Sequence, residues 1–259
     1  MRRILLVTVI TTLGCGRQAQ VSTPAAPRGI TSADQLLSAM HDRYAGKWYR
    51  NITFIQKSTF LRPDGTTSRV ETWYEAGAIP GRLRIDLGAP SKGNGALYRN
   101  DSVYSIGENR IVQRQRGRNP LMVLGFDVYG QSPERTFEQL KGERIDMTIL
   151  RTDTLYGKRV YVVGALPNDY VSNQFWVEAD RLLFVRLIQT NPERTRTQDV
   201  RFRKYVAHAG GWVAEEVRVL VGGRMVFHEE YSKVRVNVPL DADLFIPEKW
   251  ATAKHWYTP

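Results

Sequence analysis

Four histidines, His41, His208, His228 and His255, and one thiol, Cys15, are among the side chains best suited to nucleophilic attack, proton transfer or metal binding. The histidines are scattered. His228-Glu229-Glu230 lies on an alternating, strand-like stretch and lacks the second histidine that a helical zinc motif places one turn away. The sequence has no Gly-x-Ser-x-Gly elbow and no phosphate-cradling glycine loop ahead of a helix. Most Asp and Glu residues sit beside arginines along alternating stretches, the pattern of ordinary surface pairing. These residues give no catalytic constellation, no metal ligand set and no cofactor site. The chain reads as a protein that is not an enzyme.

Cys15 suggests a different chemistry. Arg2 and Arg3 precede an apolar run from Ile4 to Leu13, and Gly14-Cys15 follows at once. Two charges, about ten mostly apolar residues and a small residue have the layout of a secretory signal. The run is too short to span a bilayer, which takes about 20 residues. Thr12-Leu13-Gly14-Cys15 resembles a bacterial lipobox, with threonine where leucine is usual, which makes Cys15 the expected lipidation site and residues 1–14 a signal peptide. The alternative is plain secretion, with a cut between Ala19 and Ala26. Residues 15–30 read as a flexible tether, because Gln18 to Gly29 is rich in Pro, Ala, Ser and Thr without an apolar period and reaches about 20 Å. Lipidation at Cys15 leaves no thiol for a disulfide or a zinc site.

The net charge of +11 on 259 residues is spread over nearly every segment. It reads as an ordinary solvated surface, the alternative being attraction to anionic head groups, worth about 1 kcal/mol per basic residue near a membrane. An exported chain with no basic stripe interleaved with aromatics is not expected to bind nucleic acid. One domain is expected over residues 31–250, and 251–259 form a C-terminal tail.

Ser32-Ala33-Asp34-Gln35 is a capping box, and Leu36, Leu37, Met40 and Tyr44 share one face of the helix it starts. From Trp48 the period changes to two. Ile52, Phe54 and Phe60 alternate with Thr53, Lys57 and Thr59, and Leu83, Ile85 and Leu87 alternate with Arg82, Arg84 and Asp86. Short turns such as Pro63-Asp64-Gly65 and Gly222-Gly223 join successive strands, so neighbours run antiparallel. An apolar patch at residues 120–129 and a helix opened by Ser132-Pro133 interrupt the meander. The fold class is mainly β (α+β), with roughly 10 to 13 strands in one antiparallel sheet. A sheet that large must curl. Val160, Val162, Phe175, Trp176 and Phe184 put apolar residues on both faces, so both faces there need a cover. A curved sheet with few short helices leaves a lined hollow; a two-layer sandwich core is the other reading.

The order of these elements resembles the lipoprotein-carrier superfamily of LolA and LolB type over most of residues 32–247. The resemblance rests on Phe54-Ile55-Gln56 on the first strand, Ile79-Pro80-Gly81-Arg82-Leu83-Arg84 opening another, Tyr98 to Ile106, the hairpin of Gln174-Phe175-Trp176-Val177 with Leu182 to Arg186, and the ending Asp241-Ala242-Asp243-Leu244-Phe245-Ile246-Pro247. It implies a half-open β-barrel whose short helices lid a hydrophobic cavity for acyl chains. Ile79 stands where the soluble carrier has a lid-latching arginine, and with an anchor on Cys15 this suits a membrane-tethered receptor better than a diffusing carrier. The expected cavity lining is Phe54, Leu83, Ile85, Tyr98, Val160, Val162, Phe175 and Phe184, although a one-residue slip would exchange the two faces.

The implied partners are lipid acyl chains or lipoproteins, and the membrane surface through the anchor. The implied place is the periplasm-facing bacterial cell envelope, and Gly16 after the cysteine resembles outer-membrane sorting. A sensor of the same fold that signals to an envelope protein partner is the alternative. An integral outer-membrane barrel is opposed by Arg84, Arg186 and Arg201 in mid-strand. Exposed Trp and Tyr residues leave a carbohydrate binder as a further reading.

Overall fold

The computed structural model describes residues 29–258; the signal peptide, Cys15 and most of the tether lie outside the described residues. Helix α1 (Ala33–Tyr44) begins at Ser32, whose hydroxyl accepts from the Gln35 amide at 3.3 Å. The capping box closes one residue further out than expected. Gln35 reaches back to the amide of Thr31 at 2.8 Å, and not to that of Ser32. Ala33, Leu36, Leu37, Met40 and Tyr44 form its buried stripe.

Thirteen strands follow: β1 (Asn51–Leu61), β2 (Thr67–Ala78), β3 (Arg82–Leu87), β4 (Gly95–Arg99), β5 (Ser102–Gly107), β6 (Arg110–Arg116), β7 (Leu150–Leu155), β8 (Lys158–Val163), β9 (Gln174–Glu178), β10 (Leu183–Thr190), β11 (Thr197–His208), β12 (Gly211–Val221) and β13 (Arg224–Val236). They form one sheet in the order β6-β5-β4-β3-β2-β1-β13-β12-β11-β10-β9-β8-β7, and every pair is antiparallel. Only the β1–β13 pairing is non-sequential, so two meanders meet at the centre. The sheet is open, with β6 and β7 as its edges. Register shifts between Thr53 and Ile55 and between Phe184 and Arg186 add local twist. Edge strand β6 is exposed along its length and carries Arg110, Arg114 and Arg116, charges that discourage edge-to-edge pairing.

Between β6 and β7 the chain crosses the inner face as α2 (Pro120–Gly125), a 3-10 turn at Asp127–Tyr129 and α3 (Pro133–Gly142). The main core joins α1, this segment and α3 to the inner side chains of β8 to β12. Phe175, Phe184 and Leu187 are buried there, beside Trp48 stacked on Tyr129 at 3.9 Å.

Two smaller clusters cover the outer face. On β8 to β10, Val160, Val162, Trp176 and Val185 pack together, with the Arg186 guanidinium 4.5 Å above the Trp176 ring. On β2 to β5, Ala76, Leu97 and Ile106 are roofed by Leu244, Phe245 and Trp250 of the C-terminal segment. Residues 251–258 continue this cover: His255 contacts Asp86 at 3.0 Å, and the Tyr257 ring lies 4.4 Å from that of Tyr74.

Candidate functional site: a lidded apolar cavity

Over β1 to β3 and β13 the sheet's inner face meets only α2, and the gap is a cavity of about 190 Å³. Alternation builds its floor. Ile52 and Phe54 of β1, Gly77 and Glu75 of β2, Leu83 and Ile85 of β3, and Tyr231 and Glu229 of β13 all point inward. The register makes them neighbours: Phe54 lies opposite Glu75, Glu75 opposite Ile85, and Gly77 opposite both Ile52 and Leu83. Gly77 keeps the floor low, since a Cβ there would lie 3.1 Å from the Ile52 side chain. Leu121, Met122 and Phe126 form the roof, and Ile79 closes the end next to the β2–β3 turn.

Local interactions hold the roof. Asn119 caps α2 by accepting from the amides of Leu121 at 3.0 Å and Met122 at 3.4 Å, and Pro120 occupies the first turn, where no amide is required. At Gly125 the helix lies against β11 so closely that a Cβ would come within 2.9 Å of the Phe202 ring. Beyond α2, the Asp127 carboxylate accepts from the Gly81 amide at 3.0 Å and ties the roof to the β2–β3 turn. Ile79 sits in that turn, so apolar contact and one backbone bond fasten the roof where the resemblance led one to look for an arginine. Six residues make a marginal helix, so its cap matters. Asn119→Ala should destabilise the roof by about 1 kcal/mol, seen as faster amide exchange over residues 120–129 with strand exchange unchanged. Uniform protection in both proteins would show that the cap does not hold the roof.

The floor also holds two carboxyl groups. Glu75 is 5% exposed. Burial pushes its carboxyl well above the usual range, and the nearby charges of Glu229 and Asp86 push it further. Burial raises Glu229 to about 7 despite the bond it accepts from the Tyr231 hydroxyl at 2.8 Å.

Of the residues expected to line a cavity, Phe54, Leu83 and Ile85 line this one. Tyr98 lines a neighbouring polar pocket of about 320 Å³ behind Met122 and Asn119, which also holds Arg82, Arg99, Arg118 and Arg135. Phe175 and Phe184 are in the main core under the helices, and Val160 and Val162 are in the outer-face cluster. Glu75, Glu229 and the roof were not anticipated. A signal existed in Trp73-x-Glu75 and Phe227-x-Glu229-x-Tyr231, which place an acid on an otherwise aromatic face. Among the described residues no cluster of three metal-ligating side chains occurs, and no helix is long and apolar enough to cross a membrane.

A single antiparallel sheet, open at both edges and curved around a lidded apolar hollow, defines the half-barrel class. The fold is LolA-like. The chain superposes on a LolA superfamily protein from Nitrosomonas europaea with a TM-score of 0.52 and 12% identity, covering 83% of this chain and 97% of that one. It superposes on a DUF1329 family protein from Desulfovibrio piger with a TM-score of 0.55 and 16% identity, covering 82% and 95%. No protein-family model and no curated protein matches the sequence.

Proposed function

We propose that this protein binds the acyl chains of a lipid or of a lipidated protein, without chemistry, for lipid or lipoprotein sorting at the bacterial cell envelope. The observation that carries this reading is the apolar cavity between the sheet and the six-residue roof. Burying an acyl chain of about 14 methylenes could contribute up to ~11 kcal/mol before ordering costs. The volume of 190 Å³ sets a limit. It is little more than the ~150 Å³ of an apolar cavity that takes one benzene. The cavity as it stands therefore takes only the end of a chain, and a full-length chain must displace α2. The short helix buries Val123 and Leu124 in the main core, so it yields by tilting Leu121, Met122 and Phe126 off the sheet.

The lipobox at Cys15 supports a lipid anchor, and Gly16 supports an outer-membrane destination facing the periplasm. The four arginines of the pocket behind Met122 support approach to an anionic membrane surface. Residues 31–250, with 251–258 laid over the outer face, then act as one tethered binding domain.

The test uses the neutral fluorescent probe N-phenyl-1-naphthylamine. Wild type should bind it, and Leu83→Glu/Ile85→Glu should bind at least about tenfold more weakly, because a chain would have to bury next to new charges. Circular dichroism and a cooperative melt establish that the variant is folded; equal binding by a folded variant rules out this cavity.

A further inference from the structure

Buried acids in this protein come with cations. Asp86 receives two bonds from Arg84 at 2.9 Å and contacts His255. Glu178 is held by Arg181 at 2.6 Å and Lys158 at 3.0 Å. Asp199 lies between Arg186 and Arg201, and Glu216 pairs with Arg218 and His228. Asp127, whose carboxylate accepts from the Gly81 amide, has no such partner, and neither do two acids of the cavity, the buried Glu75 and the half-buried Glu229. Among the described residues no Lys, Arg or His pairs with either, and none donates a hydrogen bond to the Glu75 side chain. Glu229 has only the Tyr231 hydroxyl. In a chain of net charge +11, cations were abundant enough to supply both.

Both carboxyls face the same cavity, from β2 and β13 on either side of β1. Across β1, Glu75 stands opposite Phe54 and Glu229 opposite Ser58, so the two acids lie on a diagonal and meet at the one small cavity that both line, near enough for the charge of Glu229 to act on Glu75. Beside them lie Phe54, Ile85 and Trp73, which suit hydrocarbon. An unpaired carboxyl in such surroundings costs stability, which a bound counter-charge would offset.

We propose that Glu75 and Glu229 form a binding site for the ammonium group of an amphiphile whose alkyl chain occupies the apolar part of the cavity. This rests on the reading that the cavity takes an alkyl chain. The ligand class is then an amine-bearing lipid, and a ligand that puts a carboxylate or phosphate at this end meets like charge. The other groups facing the pair are Tyr231 from β13 and Tyr98 from β4, while Asp86 acts on Glu75 from the outer face of β3. The lining residues of α2 and of the β2–β3 turn, Leu121, Met122 and Ile79, carry no charge. Binding an ammonium draws the carboxyls toward their ionised forms, so it competes with their protons.

The experiment measures displacement of N-phenyl-1-naphthylamine from the mature full chain by dodecylamine, dodecanol and dodecanoate. In wild type the amine should compete about tenfold better than either other compound, and this preference should grow from about pH 5.5 to about pH 8. In Glu75→Gln/Glu229→Gln the preference should fall to within about twofold of unity. Three equal affinities, an amine preference that survives the double variant, or a preference flat with pH in wild type each overturn the proposal. In those cases the probe and its competitors still bind, and the acyl-chain reading stands. If the probe does not bind wild type at all, both readings fail together.

Discussion

Arg84→Ala should cost about 3–5 kcal/mol of folding stability, the range for removing one partner of a buried ion pair. In a domain of this size that is a fall in Tm of roughly 10 °C. Arg84 and Asp86 are 3% and 1% exposed. They stand two residues apart on the outer face of β3, so their side chains share one side and the guanidinium meets the carboxylate through two bonds. The same guanidinium lies 3.7 Å over the Trp250 ring and donates to the Trp250 carbonyl at 3.3 Å. Removing Arg84 leaves Asp86 buried with His255 alone and also unpins the C-terminal segment. Arg84→Met/Asp86→Leu, which deletes both charges, should recover most of the loss. Urea titration measures both changes, and amide exchange should show residues 242–257 loosened in the single variant. A loss below about 1 kcal/mol in Arg84→Ala would mean that the pair is not what holds the outer cover.

The alternation around Arg84 shows how far the residues themselves speak. Leu83, Ile85 and Leu87 against Arg82, Arg84 and Asp86 is a period-two pattern that specifies a strand and sorts its side chains into two sets. It does not say which set faces the helices. Here Leu83 and Ile85 line the cavity, while Arg84 and Asp86 are just as buried, under a C-terminal segment whose Trp250 lies 166 residues after Arg84. Arginines in mid-strand argue correctly against a lipid-facing wall, yet Arg84 and Arg186 lie under cover and are not out in solvent. Phe54 was placed toward a hollow by the same alternation and lines it. Phe175 and Phe184 share that inner face but lie on β9 and β10, where α1 and α3 fill the space. Periodicity fixes the face, and the helix packing decides whether that face is solid or hollow. Val160 and Val162 belong to the opposite set on β8, and so pack around Trp176. Tyr98 lies opposite Leu83 but on the far side of Met122, where the arginine-rich pocket begins. The antiparallel meander and the ends of α1 could be read locally because turns and caps are local chemistry. The roof could not, since α2 is six residues whose role depends on what lies beneath it.

Folding stability should fall, not rise, as pH goes from about 5 to about 8, with the loss concentrated around the cavity. Three carboxyls set this sign. Burial pushes Asp127 to about 7, although the Gly81 amide and the charge of Arg135 pull the other way. Burial also raises Glu229 to about 7 and lifts Glu75 well above the usual range. In the unfolded chain all three ionise near pH 4. Between that pH and about 7 the folded protein holds protons that the unfolded chain has released, so each rise in pH favours unfolding. At about 1.4 kcal/mol per pH unit, Asp127 alone accounts for up to about 4 kcal/mol. The acids held low act differently. For Glu178, Asp199 and Glu216 the bonds from their basic partners outweigh burial, so they are ionised in both states throughout this window and add a constant. Asp127→Asn keeps an oxygen for the Gly81 amide and cannot ionise. It should be about 2 kcal/mol or more stabler than wild type at pH 8 and near wild type at pH 5, by urea titration at each pH. A wild type equally stable at both, with the Asn variant no better at pH 8, would show that Asp127 is not buried when folded. Because Asp127 joins the roof to the β2–β3 turn, its ionisation acts on the cover of the cavity. Alkaline conditions should therefore speed exchange of a bound probe in wild type and leave Asp127→Asn unchanged.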